Sequence, residues 1–250
     1  MTAGKSLIYS FFAPALLLFC VQARAIDEKR IAWVEDFSNF HTKNNINFPA
    51  NWTLKSKPGT PISEFSVVRK DDNNSVLFVK SDRASGTILR DMSGEIDLTK
   101  TPVIRWRWKV KSLPPGADGR YDGKDDQAVA IYVGTGLIRQ ESIGYRWETE
   151  TPKGFSGDCS YGAGFVKVKW YCVRNKTDAT GKWYIEERNV AEDFKNAYGY
   201  IPKKFAISVV SNSQYTNSKV EAELHWIEFI PAVTTSTASV SPPPSDEKSN

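Results

Sequence analysis

The sequence predicts an all-β protein, an antiparallel β-sandwich with one short helix, and three observations carry that expectation. Residues 103–111 read VIRWRWKVK, in which Ile104, Trp106, Trp108 and Val110 alternate with Arg105, Arg107, Lys109 and Lys111. Successive strand side chains point to opposite faces, so this alternation places the rings on one face and four cations on the other. Short apolar runs of this kind recur along the chain with turn-forming clusters between them, the pattern of a layered β fold. Aromatic residues make up 12% of the 250 residues while long apolar helical patterns are few, which favours strands again.

Taken in order, residues 1–25 place Lys5 ahead of an apolar run and end in Ala23-Arg24-Ala25, the pattern of a secretory signal peptide cleaved after Ala25. Cys20 offers a lipoprotein alternative, but bulky Phe19 stands where a lipid-modified cysteine wants a small residue. No later stretch approaches the ~20 apolar residues of a membrane-spanning helix. The expected product is periplasmic or secreted. Residues 26–231 then form a single sandwich domain, and residues 232–250, rich in Ser, Thr and Pro, form a disordered tail. The leader holds two of the 33 basic residues and none of the 29 acidic ones, so the mature charge is only about +2. That balance argues against a nucleic-acid partner.

Residues 31–37 open the domain as a strand, followed by a long loop containing Phe48-Pro49-Ala50-Asn51-Trp52. Residues 66–69 and 75–80 form a hairpin about Asp71-Asp72-Asn73-Asn74. The alternating strand at 103–111 ends at Pro114-Pro115-Gly116, and an Asp- and Gly-rich loop leads into a buried strand at 128–133. Further strands are expected at 143–149, 165–173, 183–188, 205–211 and 220–230. Residues 190–198, VAEDFKNAY, instead space Val190, Phe194, Ala197 and Tyr198 as a helix, with Asn189 as its N-cap and Gly199 ending it. Trp106, Trp108 and Trp226, read as alternating with charges along their strands, are expected in the core.

The words RWRWKV, LPPGAD, KDDQAVAIYV, IGYRW, EERNVAEDFKNAYGYIP, ISVVSNS and ELHWIEF, running in that order from Val103 to Phe229, resemble the bacterial family called domain of unknown function 3047. Before Val103 only the EDF opening and the PANW segment fit. The resemblance implies an exported envelope protein with a jelly-roll, concanavalin-like or galactose-binding-like sandwich, and it implies no activity. Ser211-Asn212-Ser213-Gln214 departs from the family pattern, which favours an acidic pair there, and this counts against a cation site in that loop.

Five groups of residues are candidates for chemistry. Asp118, Asp122, Asp125 and Asp126 in one loop are a candidate calcium site, since calcium takes about six to eight oxygen ligands; the bland reading is a solvated loop paired with Arg120 or Lys124. Glu148 and Glu150 lie two apart, so on a strand they share a face about 6.6 Å apart. Glycoside hydrolysis wants two carboxyls roughly 5 to 9.5 Å apart, and Arg146 on the same face offers simple neutralisation instead. Tyr145, Trp147 and Trp183, among rings that include Tyr132, Trp170 and Tyr171, are candidate stacking platforms for sugar faces. Arg188 is a candidate ligand contact, with a cap-and-ion-pair role beside Asn189 and Asp193 as the structural reading. Cys159 and Cys172, the cysteines remaining after the leader, are expected to form a disulfide worth on the order of 3 kcal/mol, against free thiols or a redox pair that lacks CxxC spacing.

No HExxH, GxSxG or P-loop pattern occurs, and neither His41 nor His225 stands beside a nucleophile or metal partner. The expected function is therefore binding of a glycan or other extended envelope ligand without catalysis. A polysaccharide hydrolase or lyase using paired carboxylates is the competing class, and a structural envelope protein without a small ligand is the third. The cation row at 105–111 allows an acidic polysaccharide partner, an ordinary solvated face being its alternative.

Overall fold

The computed structural model describes residues 31–37, 48–70, 74–136, 140–161 and 164–232. The leader, His41, residues 71–73 of the hairpin turn and the tail beyond 232 lie outside the described residues.

Among the described residues there are thirteen strands and one helix: β1 (Trp33–Asp36), β2 (Thr53–Lys55), β3 (Glu64–Arg69), β4 (Ser75–Asp82), β5 (Ser85–Asp91), β6 (Val103–Ser112), β7 (Gln127–Thr135), β8 (Gln140–Trp147), β9 (Ser156–Tyr161), β10 (Val166–Arg174), β11 (Tyr184–Asn189), α1 (Val190–Tyr198), β12 (Ala206–Asn212) and β13 (Lys219–Ile230). They form two sheets, one ordered β11-β6-β13-β4-β3 with β1 also on β13, the other β2-β5-β12-β7-β8-β10-β9. The pairs are antiparallel except β8 with β10, which run parallel. The chain is the β-sandwich its alternation predicts, with that one departure from a purely antiparallel arrangement.

The core lies where the period-two rule puts it. Trp106 and Trp108 are fully buried on β6 and meet Tyr145 and Trp147 of β8 across the gap between sheets. Trp106 stacks on Tyr145 at 5.2 Å between centroids and meets Trp108 edge-on at 5.4 Å, the offset and T-shaped geometries that the ring quadrupole favours. The opposite row faces outward as expected, yet three of its four cations contact carboxylates of the fold. Arg105 pairs with Glu228, while Lys109 and Lys111 join Lys70 around Glu223. Arg107 meets His225 Nδ1 and lies over Trp183.

Trp226 departs from expectation. A β-bulge between Leu224 and Trp226 inserts His225 and reverses the phase, so Trp226 falls opposite Arg107 and is only half-buried, while Ile227 takes the core position opposite Trp106. Three strands escaped the sequence reading, namely β2, β5 and β9. Each has few apolar residues, because β2 and β9 are edges and β5 turns Thr87 and Leu89 outward.

Helix α1 forms as its spacing predicts. Asn189 accepts from Glu192 N, and Gly199 closes the helix at φ 84°, a left-handed conformation that favours glycine. Phe194 and Val190 enter the core. Arg188, just before the helix, donates to both Asp193 oxygens, and Tyr145 Oη donates to Asp193 Oδ2 at 2.7 Å.

Candidate functional site

The outer face of the seven-stranded sheet carries a groove of about 630 Å³. Its origin can be traced through the register. One transverse row reads Lys55, Thr87, Val210, Ala130 and Arg146; the next reads Thr53, Leu89, Ser208, Tyr132, Gly144, Trp170 and Gly157; a third reads Asp91, Ala206, Gly134, Ser142, Val168 and Cys159. Ala130, Gly134, Ser142, Gly144, Ala206 and Ser208 keep the middle of the face low. Six strand spacings of about 4.8 Å give the face a breadth of roughly 29 Å, enough for an extended ligand lying across the strands.

Two rings lie flat on this face because glycines leave room for them. A Cβ at Gly144 would sit 2.5 Å from Tyr132 Cε1, and one at Gly157 would sit 2.5 Å from the Trp170 ring. Substituting Gly144→Ala is therefore expected to tip Tyr132 off the floor and cost about 1–3 kcal/mol, read as a lowered Tm together with weakened ligand binding.

Arg146 anchors one end of the groove. It is 1% exposed, lies over Trp170 at 4.5 Å, and donates from Nε to Tyr132 Oη at 2.8 Å and from Nη1 to Asp125 Oδ1 at 2.6 Å. Glu148 stands 3.5 Å from the same Nη1. Tyr161 leans along the sheet edge and donates to Asp125 Oδ2 at 2.8 Å, while Gln127 Nε2 donates to Asp125 Oδ1. Burial pushes the Tyr132 and Tyr161 hydroxyls upward, with Asp125 adding to both and Arg146 opposing at Tyr132; the two phenols stay neutral throughout the physiological range. Exposed rings flank the floor, Tyr161 at 47% and Tyr215 at 46% exposure. Gln140, Gln214 and Asn212 add amides, and Lys55 and Lys57 stand at the β2 edge.

The sequence-predicted candidates are distributed otherwise. Glu148 and Glu150 do not form a pair, because β8 ends at Trp147 and the backbone turns beyond it. Glu148 is fully buried and accepts from Gly119 N and Thr151 Oγ1, whereas Glu150 is exposed and pairs with Lys176. Burial raises the Glu148 pKa, with Arg146 opposing. Among the described residues lining the groove, Asp125 is the only carboxylate.

The four aspartates diverge as well. Asp118 pairs with Arg120 and is held down to about 2, Asp122 is exposed, Asp125 faces Arg146, and Asp126 accepts from Thr216 N and Oγ1. Among the described residues no three His, Cys, Asp or Glu side chains converge on a possible metal position. Asp118, Asp125 and Asp126 turn to three separate partners and Asp122 stands exposed, so proximity in sequence does not become convergence.

Tyr145 and Trp147 are core residues with no exposed ring face, so they are not a platform. Trp183 lies on the other sheet against Arg107 and Lys109, and Arg188 is committed to Asp193 and lies over Tyr171. Cys159 and Cys172 are free thiols. Cys159 pairs with Val168 in the register, four residues before Cys172 on β10, about 13 Å along the strand and far beyond disulfide reach. Of the groove's own rings, Tyr132 was noted in sequence; Tyr161 and Tyr215 were not. The outward series Ala130, Tyr132 and Gly134 in β7 is the available signal, since small outward residues on a central strand indicate a face kept open.

A family profile described as "Protein of unknown function (DUF3047)" matches residues 50–228. A search of curated proteins finds no match. Among solved structures, the chain is similar to the family 11 carbohydrate-binding module of cellulase Lic26A-Cel5E of Clostridium thermocellum, at 12% identity and TM-score 0.40, covering 76% of this chain and 94% of that one. It is also similar to the CBM22-1 xylan-binding domain of Paenibacillus barcinonensis Xyn10C, at 11% identity and TM-score 0.35, covering 81% and 96%. A third similarity is to the carbohydrate esterase vb_24B_21 of Shiga toxin-encoding bacteriophage phi24B, at 9% identity and TM-score 0.43, covering 81% and 99%.

Proposed function

We propose that this chain, which belongs to the DUF3047 family, is an exported glycan-binding protein that holds a polysaccharide strand across the outer face of its seven-stranded sheet. The observation that carries the reading is the groove itself: a low floor of Gly, Ala and Ser, flat Tyr132, exposed rings at Tyr161 and Tyr215, and flanking amides. Sugar rings present apolar faces and polar edges, and that combination offers stacking for the first and hydrogen bonds for the second. The hydrolase alternative drew on Glu148 with Glu150 or on the aspartate-rich loop, and against it stand the different surroundings of the two glutamates and the separate partners of the aspartates. Export follows from the leader's charge, apolar run and small-residue terminus. No helix among the described residues is long and apolar enough to cross a membrane.

Affinity electrophoresis of the mature protein through gels containing individual polysaccharides tests this function. At least one polysaccharide is expected to retard it, with Tyr161→Ala and Tyr215→Ala each weakening binding roughly tenfold, the loss of one stacked ring. Tyr161→Phe keeps the ring and should retain most of the binding. Failure of the wild type to bind any glycan, or unchanged binding by both alanine variants, overturns the proposal.

A further inference from the structure

We infer that the groove selects an acidic polysaccharide, whose carboxylate or sulfate groups are held at its β2 edge by Lys55 and Lys57. The inference rests on the glycan-binding reading and narrows its ligand class. Lys55 stands opposite Thr87 at the end of the row that runs to Arg146. Lys57 extends from the loop just beyond, its ammonium 5.8 Å from the centre of the Tyr215 ring. Both are exposed lining residues of the groove, and neither forms an ion pair with any described residue.

The rest of the groove leaves that charge uncompensated. Asp125, its single lining carboxylate, has one oxygen taken by Arg146 and Gln127 and the other by Tyr161. Arg146 in turn answers Asp125 and Glu148, so the buried end carries no positive charge to spare. The chain's other cation row shows the contrast. Three lysines there converge on Glu223 and Arg105 pairs with Glu228, so each of those four cations contacts a carboxylate of the fold. Lys55 and Lys57 have been given none, and they flank a surface already shaped for a chain of sugars. A compact ammonium on a flexible stem suits anionic groups repeating along a polymer, because it needs no fixed bidentate geometry. Tyr215 beside Lys57 brings a stacking face and a cation together, matching a sugar ring and its acidic substituent.

Calorimetric titration of the full mature chain separates the claims, with three probes: a galacturonate oligomer, the same oligomer as its methyl ester, and a sulfated dextran oligomer. At least one acidic probe is expected to bind roughly tenfold more tightly than the neutral ester at low salt, and to lose that advantage at high salt. The double variant Lys55→Gln/Lys57→Gln should bind acid and ester alike while keeping the wild-type Tm, since both side chains are exposed. Comparing galacturonate with sulfated dextran identifies the preferred anion. Equal binding of acid and ester by the wild type, still sensitive to Tyr215→Ala, overturns the acidic selectivity and leaves the glycan reading standing. An acid preference that persists in the double variant also overturns the assignment to these lysines. No binding of any probe overturns the acidic selectivity, and the glycan reading falls with it only where no polysaccharide retards the chain on electrophoresis.

Discussion

Replacing Arg146 with methionine is expected to destabilise the protein by about 3–5 kcal/mol and to abolish groove binding even in the fraction that remains folded. Methionine keeps an unbranched apolar side chain and removes the guanidinium, together with its stacking on Trp170. Without it, the buried Glu148 carboxylate and the Asp125 carboxylate face each other with no counter-ion, and Tyr132 Oη loses its donor. Denaturant unfolding measures the stability term and affinity electrophoresis the binding term. Adding Glu148→Gln to Arg146→Met should recover part of the stability, because an amide there still accepts from Gly119 N and Thr151 Oγ1 without a charge. The single Glu148→Gln variant has its own pH signature. Burial raises the pKa of Glu148 in the folded chain, so its protonation favours the fold below the unfolded pKa and that contribution is lost as pH rises through the folded value. Removing the carboxyl should flatten this part of the stability profile. Stability of Arg146→Met equal to wild type would contradict the buried network.

Glu223→Gln is expected to cost about 2–3 kcal/mol at neutral pH, through a different arrangement. Glu223 is 1% exposed on the outward face of β13, with Lys109 at 2.5 Å and Lys70 and Lys111 at 2.8 Å. At these distances the three ammonium groups hold the carboxylate by charge-assisted contacts. Burial alone would raise its pKa, but the three lysines outweigh that and hold it down to about 2. A depressed folded value fixes the sign: the stabilisation is fully present above the ordinary carboxylate range near 4.5 and disappears as pH falls towards about 2. The difference between wild type and Glu223→Gln should therefore be large at pH 7 and shrink towards zero at the acid end, measured by urea unfolding across that range. The partly exposed lysines can regain water, which keeps the cost below that of a fully buried pair. A difference independent of pH would show that Glu223 acts by packing alone.

The two networks mark where the sequence could be read and where it could not. Trp106 and Trp108 were legible because a strand alternates by residue, and each neighbour in sequence reports which face the next occupies. Helix α1 was legible because Asn189 and Gly199 satisfy backbone groups at its two ends with their own local chemistry. The same rule misled at Glu148 and Glu150, where the strand stops one residue too soon, and at Trp226, where a single inserted residue reverses the phase. The cysteines misled for another reason: being the two left after the leader says nothing of their separation in space, and β9 and β10 pair antiparallel in a register that holds them apart.

What the sequence determined by itself is the layered β architecture, the ring-filled interior and the capped helix, because each follows from interactions within a few residues along the chain. The groove was decided by tertiary structure. Lys55, Tyr132, Tyr161 and Tyr215 come from β2, β7, β9 and the loop after β12, and they share one face only because hydrogen-bonded strands distant in sequence are aligned in a particular order and register. A surface assembled from such non-local pairings has no local signature, since each residue in its own segment looks like an ordinary exposed side chain.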